Sequence, residues 1–284
     1  MESKEIYDQV NKRYGSIDKS STGQYEQTVA KAFGYTEEEL AAIPEGANLG
    51  LSCGNPLALA KLRNGETVID FGSGAGFDVF AAAKMVGPSG KALGVDMNEN
   101  MIKKANANKA KSNTKNLEFI EGAITAVPLP DSIADCIISN CVINLVPVSE
   151  KQLAFNEMYR LLKPGGRVAV SDILARKELT EDMKKNIALY VGYVLIVDTK
   201  NDLNVYMTAA EDGTSCCGSV TEKQCCMPEQ KGTCCQSGLS TCSCEENTSM
   251  ASEAQNLAAA LGIVDFNEWA GSFQVYAVKS LGEN

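Results

Sequence analysis

The chain has 284 residues, 44% hydrophobic and 22% charged, enough to bury a sizeable core in one large domain or two. A formal net charge of −10 and a pI of about 4.7 repel phosphate backbones and anionic lipid, so neither nucleic acid nor membrane is expected as a partner. No stretch approaches the ~18 consecutive apolar residues of a membrane span, and MESKEIYDQVNKRYG is too polar for a secretory signal, which places the protein in the cytoplasm.

The expected elements begin with a short helix ending at the turn-rich GSIDKSSTG, then a second helical piece from near Ser20. Thr36 with Glu39 reads as a capping box for a helical turn stopped by Pro44. The loop GANLGLSCGNP follows, and then a helix over 56–62 with proline at its first position. From Glu66 strands and helices alternate. Strands are expected at 67–71, 92–95, 117–120, 134–139 and 167–173, with helices at 77–85, 98–111, 149–162 and 180–191. This order predicts an α/β fold around a doubly wound parallel sheet.

Strand-like 193–197 follows the last helix with only Gly192 between them, although ~2–6 residues usually join such elements. Residues 209–250 are rich in Cys, Gly, Ser, Thr and Glu and cannot build a core of their own. FQVYAVK, 273–279, alternates as a strand, and could pair antiparallel with 193–197. The expected division is 1–65, a helical lid with the Cys53 loop; 66–200, a Rossmann-like core; 201–250, a disordered Cys-rich insertion; and 251–284, a closing helix and strand.

Two features of composition bear on chemistry. The absence of histidine removes the commonest general base and metal ligand. Of the eleven cysteines, eight lie between Cys216 and Cys244, and in a reducing compartment such clusters more often bind soft ions than form disulfides.

The strongest motif is VIDFGSGAGFD, Val68 to Asp78. A strand delivers Asp70, and Gly72, Gly74 and Gly76, with Ser73 among them, let the backbone turn tightly against a ligand before a helix begins. The dinucleotide fingerprint is G-x-G-x-x-G. Here the third glycine comes one residue early and an acid precedes the first. A pyrophosphate is repelled by that carboxylate, whereas the sulfonium and amine of S-adenosylmethionine are attracted. Asp96, at the tip of the next strand and 20 residues beyond Gly76, suits the ribose hydroxyls.

With ISNCVINL, LLKPGGRVAVSDI and IPEGANLGLSCGNP, these motifs resemble the arsenite S-adenosylmethionine methyltransferases. The likeness covers roughly residues 25–205 and 262–280, and SNCVINL is its most specific element. It implies a class I methyltransferase sheet, mostly parallel with an antiparallel C-terminal strand. It also implies that Asp70, Gly72 and Gly74 hold the methionine moiety and Asp96 with Met97 the ribose and adenine. Gly122, Ala123 and Ile124 would then border the adenine, and Asn140 and Cys141 would lie under the methyl donor.

Arsenite is thiophilic, and its own lone pair attacks the methyl group, so no histidine base is required. Thiolates need only replace hydroxide and hold arsenic in line with the S–CH3 bond. Cys53 matches the family's substrate-binding cysteine, and its Gly/Asn-rich loop argues against a core role. Cys141, at the end of the fourth strand, is either a ligand or a wall of the cofactor pocket. Cys136, inside a buried strand, reads as core.

The chain departs from the family after LYVG, where a helical segment with a further cysteine is missing before Tyr193. Cys216 or Cys217 could supply a later arsenic ligand. The expected reaction joins arsenite, S-adenosylmethionine and a thiol reductant, glutathione or thioredoxin. The alternative is a protein that sequesters As(III) or a soft metal through Cys216–Cys244 around a vestigial core. Methylation of a small organic molecule is a third reading.

Overall fold

A computed structural model of the chain describes residues 2–17, 23–175 and 270–281. Helices α1 (Ser3–Gly15), α2 (Gln24–Ala32) and α3 (Glu37–Ala41) come first. The Thr36 capping box is formed: its hydroxyl accepts from the Glu39 N–H at 3.2 Å while its own N–H donates to the Glu39 carboxylate at 2.8 Å. Helix α4 (Pro56–Ala60) starts on proline, and the Asn55 side chain caps it by accepting from the Ala58 N–H.

The core then runs β1 (Thr67–Phe71), α5 (Phe77–Val86), β2 (Lys91–Asp96), α6 (Glu99–Lys111), β3 (Leu117–Glu121), β4 (Ala134–Asn140), α7 (Lys151–Leu161), β5 (Leu162–Ala175) and β6 (Ala270–Val278). Its six strands lie in the order β3-β2-β1-β4-β5-β6, all parallel except β6, which runs antiparallel to β5. Successive β1 residues serve opposite faces. Val68 packs with Val79, Phe80 and Ile138, and Ile69 with Ile137, Leu161 and Val170, so both faces of the sheet are dry. Order reverses between β1 and β4, and an open α/β sheet binds ligands at the carboxyl ends of its strands at such a point.

The expected fold class holds, with two differences of detail. Helix α4 stops at Ala60, because Lys61 turns into the left-handed conformation at φ 47°. The last parallel strand starts at Leu162, well before the expected Arg167, because Gly165 and Gly166 pair through their backbones with Lys279. The strand at the C-terminus pairs with β5; the proposed partner at 193–197, the helix at 180–191, the Cys-rich segment and residues 251–269 lie outside the described residues. No helix among the described residues is long and apolar enough to cross a membrane.

One ion pair ties the N-terminal elements to this sheet. Arg167 of β5 is 8% exposed and makes two parallel 2.8 Å bonds to the Glu66 carboxylate, with further bonds to the Ala60 and Lys61 carbonyls. Arg167→Ala strands the Glu66 carboxylate and two carbonyls, so denaturant unfolding is expected to show a loss of about 3 kcal/mol. A loss below about 1 kcal/mol would mean that water replaces the guanidinium at no cost.

Candidate active site

The carboxyl ends of β1, β2 and β4 open into a cavity that is partly continuous with solvent. Its floor is the glycine turn after β1. Gly72, at φ +75°, could not carry a side chain, since a Cβ there would stand 2.3 Å from Val142. Gly74, at φ +51°, has open space where its Cβ would be, so its backbone faces the cavity bare. The turn is held by Gly72 and Ser73 N–H bonds to the Val95 carbonyl and by the Gly74 N–H bonding Asp96 Oδ2 at 2.8 Å.

Of the residues expected to hold a cofactor, Asp70, Gly72, Ser73, Gly74, Asp96, Met97, Ala123, Ile124, Asn140 and Cys141 line this cavity. Gly76 and Gly122 do not. Gly76 caps α5, and a Cβ there would press on Phe119; a Cβ at Gly122 would press on Pro128. Both glycines permit packing behind the wall. The opposite wall comes from residues the sequence did not single out: Tyr7, Val10 and Tyr14 of α1, and Leu49 and Leu51 of the following loop.

The cavity is acidic. Asp70 is 4% exposed, and its Oδ1 has no hydrogen-bond partner. Burial, then the nearby Asp78 and Asp96, push its carboxyl well above the usual range. Burial also raises Asp78, to about 6, against the hydrogen bonds from Tyr35 and Asn140 that hold it down. Burial raises Asp96 too, opposed by the N–H groups of Asn98 and Gly74. The start of a helix ordinarily welcomes a phosphate. Here the first turn of α5 carries buried Asp78 instead, and the group that fits is a cation bearing hydrogen-bond donors, which would satisfy Asp70 Oδ1.

Asn140 joins this acidic wall to the cysteine loop. Its amide nitrogen donates to Asp78 Oδ2 at 3.0 Å, the Gly54 carbonyl at 3.1 Å and Tyr35 Oη at 3.2 Å. Its oxygen accepts from the Cys53 N–H at 3.3 Å and lies 3.5 Å from the Cys53 sulfur, which can donate to it only when reduced to a thiol. Tyr35 Oη donates to Asp78 Oδ1 at 2.6 Å, which closes the network. Neither Tyr35 nor Asp78 was assigned a role from sequence, although Asp78 stands inside the glycine motif.

Cys53 is fully buried, yet it packs against Asn140 and Cys141 rather than within the large apolar clusters of the sheet. Cys141 takes φ +60°, unusual for a side chain with a Cβ, immediately after β4 ends. That turn brings its sulfur into direct contact with that of Cys53, joined as a disulfide across 88 residues with Cα atoms 5.9 Å apart. The two sulfurs and one carboxylate oxygen of Asp172 lie within 4.8 Å of one another. Cys141 lines the cavity whereas Cys53 does not, so reduced this is a thiol at the wall with a buried thiol and an acid behind it. Cys136 is buried in β4 as core; Cys216 and Cys217 lie outside the described residues.

Comparison with known proteins gives one family match and three relatives. A family model described as a methyltransferase domain matches residues 62–227. An arsenite methyltransferase of Halobacterium salinarum is 44% identical over 185 residues, covering 65% of this chain and 47% of the relative. One from Aquipseudomonas alcaligenes is 38% identical over 154 residues, 52% of this chain and 43% of the relative. The ubiquinone/menaquinone biosynthesis C-methyltransferase UbiE of Escherichia fergusonii is 34% identical over 135 residues, 47% and 52% of the two chains. The chain thus spans about half the length of these curated relatives.

The Asp78 carboxyl tests the network directly. By carbon NMR of labelled aspartate it should titrate at about 6, and Tyr35→Phe, which removes a bond that holds it down, should move it higher. An ordinary value near ~4 in the parent protein would show that the wall is hydrated rather than buried.

Proposed function

This chain belongs to the methyltransferase-domain family, and we propose that it transfers a methyl group from S-adenosylmethionine to thiolate-bound trivalent arsenic. The observation that carries this reading is the Cys53–Cys141 pair, brought together from 88 residues apart where Cys141 lines an acidic cavity and Cys53 is buried behind it. Its relatives from Halobacterium salinarum and Aquipseudomonas alcaligenes are arsenite methyltransferases, which points the same way.

S-adenosylmethionine, when bound, supplies an electrophilic methyl group on a sulfonium. The chain's residues supply its binding and orientation. Asp70 offers its unpartnered oxygen to the methionine ammonium, and the bare backbone at Gly72–Gly74 lets the ligand approach. Asp96 spends one lone pair of each oxygen on the Gly74 and Asn98 N–H groups and keeps the others for ribose hydroxyls. Tyr7, Val10, Tyr14, Leu49 and Leu51 close the apolar side and exclude water.

On the substrate side, the Cys53 and Cys141 thiols each give a proton to a departing hydroxide of As(OH)3, forming two As–S bonds and releasing two waters. Arsenic keeps its lone pair, which is the nucleophile, so the chain needs no histidine. What remains is positioning of one soft centre against one methyl group. A thiol reductant, glutathione or thioredoxin, keeps the pair open, and the cytoplasm is the compartment that provides it. In this reading residues 1–65 form the lid, 66–200 bind the cofactor and 251–284 complete the sheet. Cys216 or Cys217 offers a later ligand.

Incubation with S-adenosylmethionine, arsenite and excess thiol is expected to form S-adenosylhomocysteine and methylated arsenic together. Cys53→Ser should abolish that turnover and leave cofactor affinity intact, whereas Asp70→Ala should weaken the cofactor first. Cofactor binding without arsenite-dependent product would sink the arsenic assignment and leave a methyltransferase with another acceptor. Cofactor affinity should also depend on pH. Asp70 and Asp78 hold protons in the free protein above the usual carboxyl range, and a cationic ligand prefers them ionised. Affinity therefore rises from about pH 5 to about pH 7 and binding releases protons, measurable by calorimetry in buffers of different ionisation enthalpy.

A further inference from the structure

Asp172 is an acid with no part in holding the cofactor, yet one of its oxygens lies within 4.8 Å of both site sulfurs. It is 7% exposed at the end of β5. The turn after β4 grips it: Oδ2 accepts from the Asn144 N–H at 3.1 Å, and Oδ1 from Asn144 Nδ2 at 3.0 Å and the Ile173 N–H at 2.9 Å. Asn144 Nδ2 also donates to the Ile173 carbonyl, so the side chain that aims Asp172 is itself fixed at two points. A carboxylate accepts about four hydrogen bonds. Three are used, which leaves one lone pair, on Oδ2.

We propose that Asp172 reads the third ligand of the bound arsenical, accepting a hydrogen bond from its hydroxyl, and so makes the site select arsenite over its methylated product. The inference rests on the reading of Cys53 and Cys141 as arsenic ligands. When the two thiols displace two hydroxides from As(OH)3, two waters leave and one As–OH remains. When they displace both hydroxides of monomethylarsonous acid, CH3As(OH)2, two waters again leave, and the third position is a methyl group. The first adduct offers Asp172 a donor. The second presses an apolar group against a buried carboxylate and leaves its lone pair unsatisfied.

A direct As–O bond from Asp172 is the weaker arrangement. A carboxylate is a hard donor for a soft centre that already holds two thiolates, and its oxygens are occupied by three N–H groups. Hydrogen bonding to an As–OH needs only the free lone pair. A site built to bond a substrate hydroxyl discriminates strongly against the analogue that lacks it, because the buried acceptor is left unpaired. The same bond sets the rotation of the AsS2 unit about its sulfurs, and with it the direction of the lone pair.

The experiment compares arsenite with monomethylarsonous acid on the full-length protein kept reduced with a phosphine. Two readouts are taken. One is the ratio of kcat/KM for the two arsenicals, from S-adenosylhomocysteine release. The other is the ratio of their affinities, from the ultraviolet As–S absorption that Cys53→Ser removes, a subtraction that sets aside thiols elsewhere in the chain. The parent protein should prefer arsenite by about tenfold or more, and Asp172→Asn should bring both ratios towards one. Asn144→Ala, which loosens the carboxylate without removing it, should move them part of the way. It carries the test alone if Asp172→Asn does not fold.

A purely structural role would lower both arsenicals equally, so unchanged ratios overturn the proposal whatever the absolute rates. Failure of the parent protein to prefer arsenite overturns it too. If arsenicals bind with the expected preference but neither is methylated, the methyl-transfer reading fails and the role of Asp172 stands. If neither arsenical gives a Cys53-dependent signal, both fall.

Discussion

The arrangement hangs on the Asn140 side chain at the end of β4. It touches both the acidic wall, through Asp78 and Tyr35, and the thiol loop, through the Cys53 N–H, its sulfur and the Gly54 carbonyl. Polar groups withdrawn from water must find partners or pay the full desolvation cost. Satisfying this amide therefore settles the positions of β4, the α5 start and the cysteine loop together. The next residue, Cys141, leaves the strand in a left-handed turn that points its sulfur at Cys53.

The loop that meets Asn140 is held by other amides. Asn48 bonds the Glu26 carbonyl and the Gly50 N–H, and Asn55 caps α4 while donating to the Gly34 carbonyl. Gly54 passes so close to β5 that a Cβ there would lie 2.6 Å from that of Ser171. In the proposed reading, a cysteine on a mobile loop would be a poor ligand for a substrate that must face one methyl group. Here the loop is built as a fixed wall, and α1 with its aromatic side chains closes the other side.

The acidic cavity goes against stability in the free protein. Asp70, Asp78 and Asp96 are buried near one another at the mouth of the sheet, with carboxyls raised above their ordinary range. Raised carboxyls favour the folded state at low pH and lose that contribution as pH rises through the folded values. Such an arrangement contradicts the packing logic of the dry layers around it, where Val68, Ile69, Ile137 and Ile138 bury apolar surface without conflict. Conflicts of this kind mark functional sites, and a cationic ligand resolves this one.

Much of the fold was legible in the sequence because its signals are local. Short apolar runs alternating with helical segments located β1 to β4, and the Thr36–Glu39 pair and Pro56 located helix starts through chemistry confined to one turn. The glycine turn and Asp70 were legible for the same reason: a strand ending in an acid and a bare backbone describes its ligand within a few residues. Gly76 and Gly122 do not line the cavity: spacing shows that a glycine is needed without showing whether its missing Cβ makes room for a ligand or for Phe119 and Pro128. Cys53 and Cys141 could each be suspected singly. Only the reversal of strand order between β1 and β4 and the turn at Cys141 could join them, since a contact across 88 residues leaves no local trace. Asp172 carried no signal at all in the run VSDI. Its meaning comes from the register of β5 against β4 and from the Asn144 turn that aims it at two sulfurs, a relation of distance that only the folded chain contains.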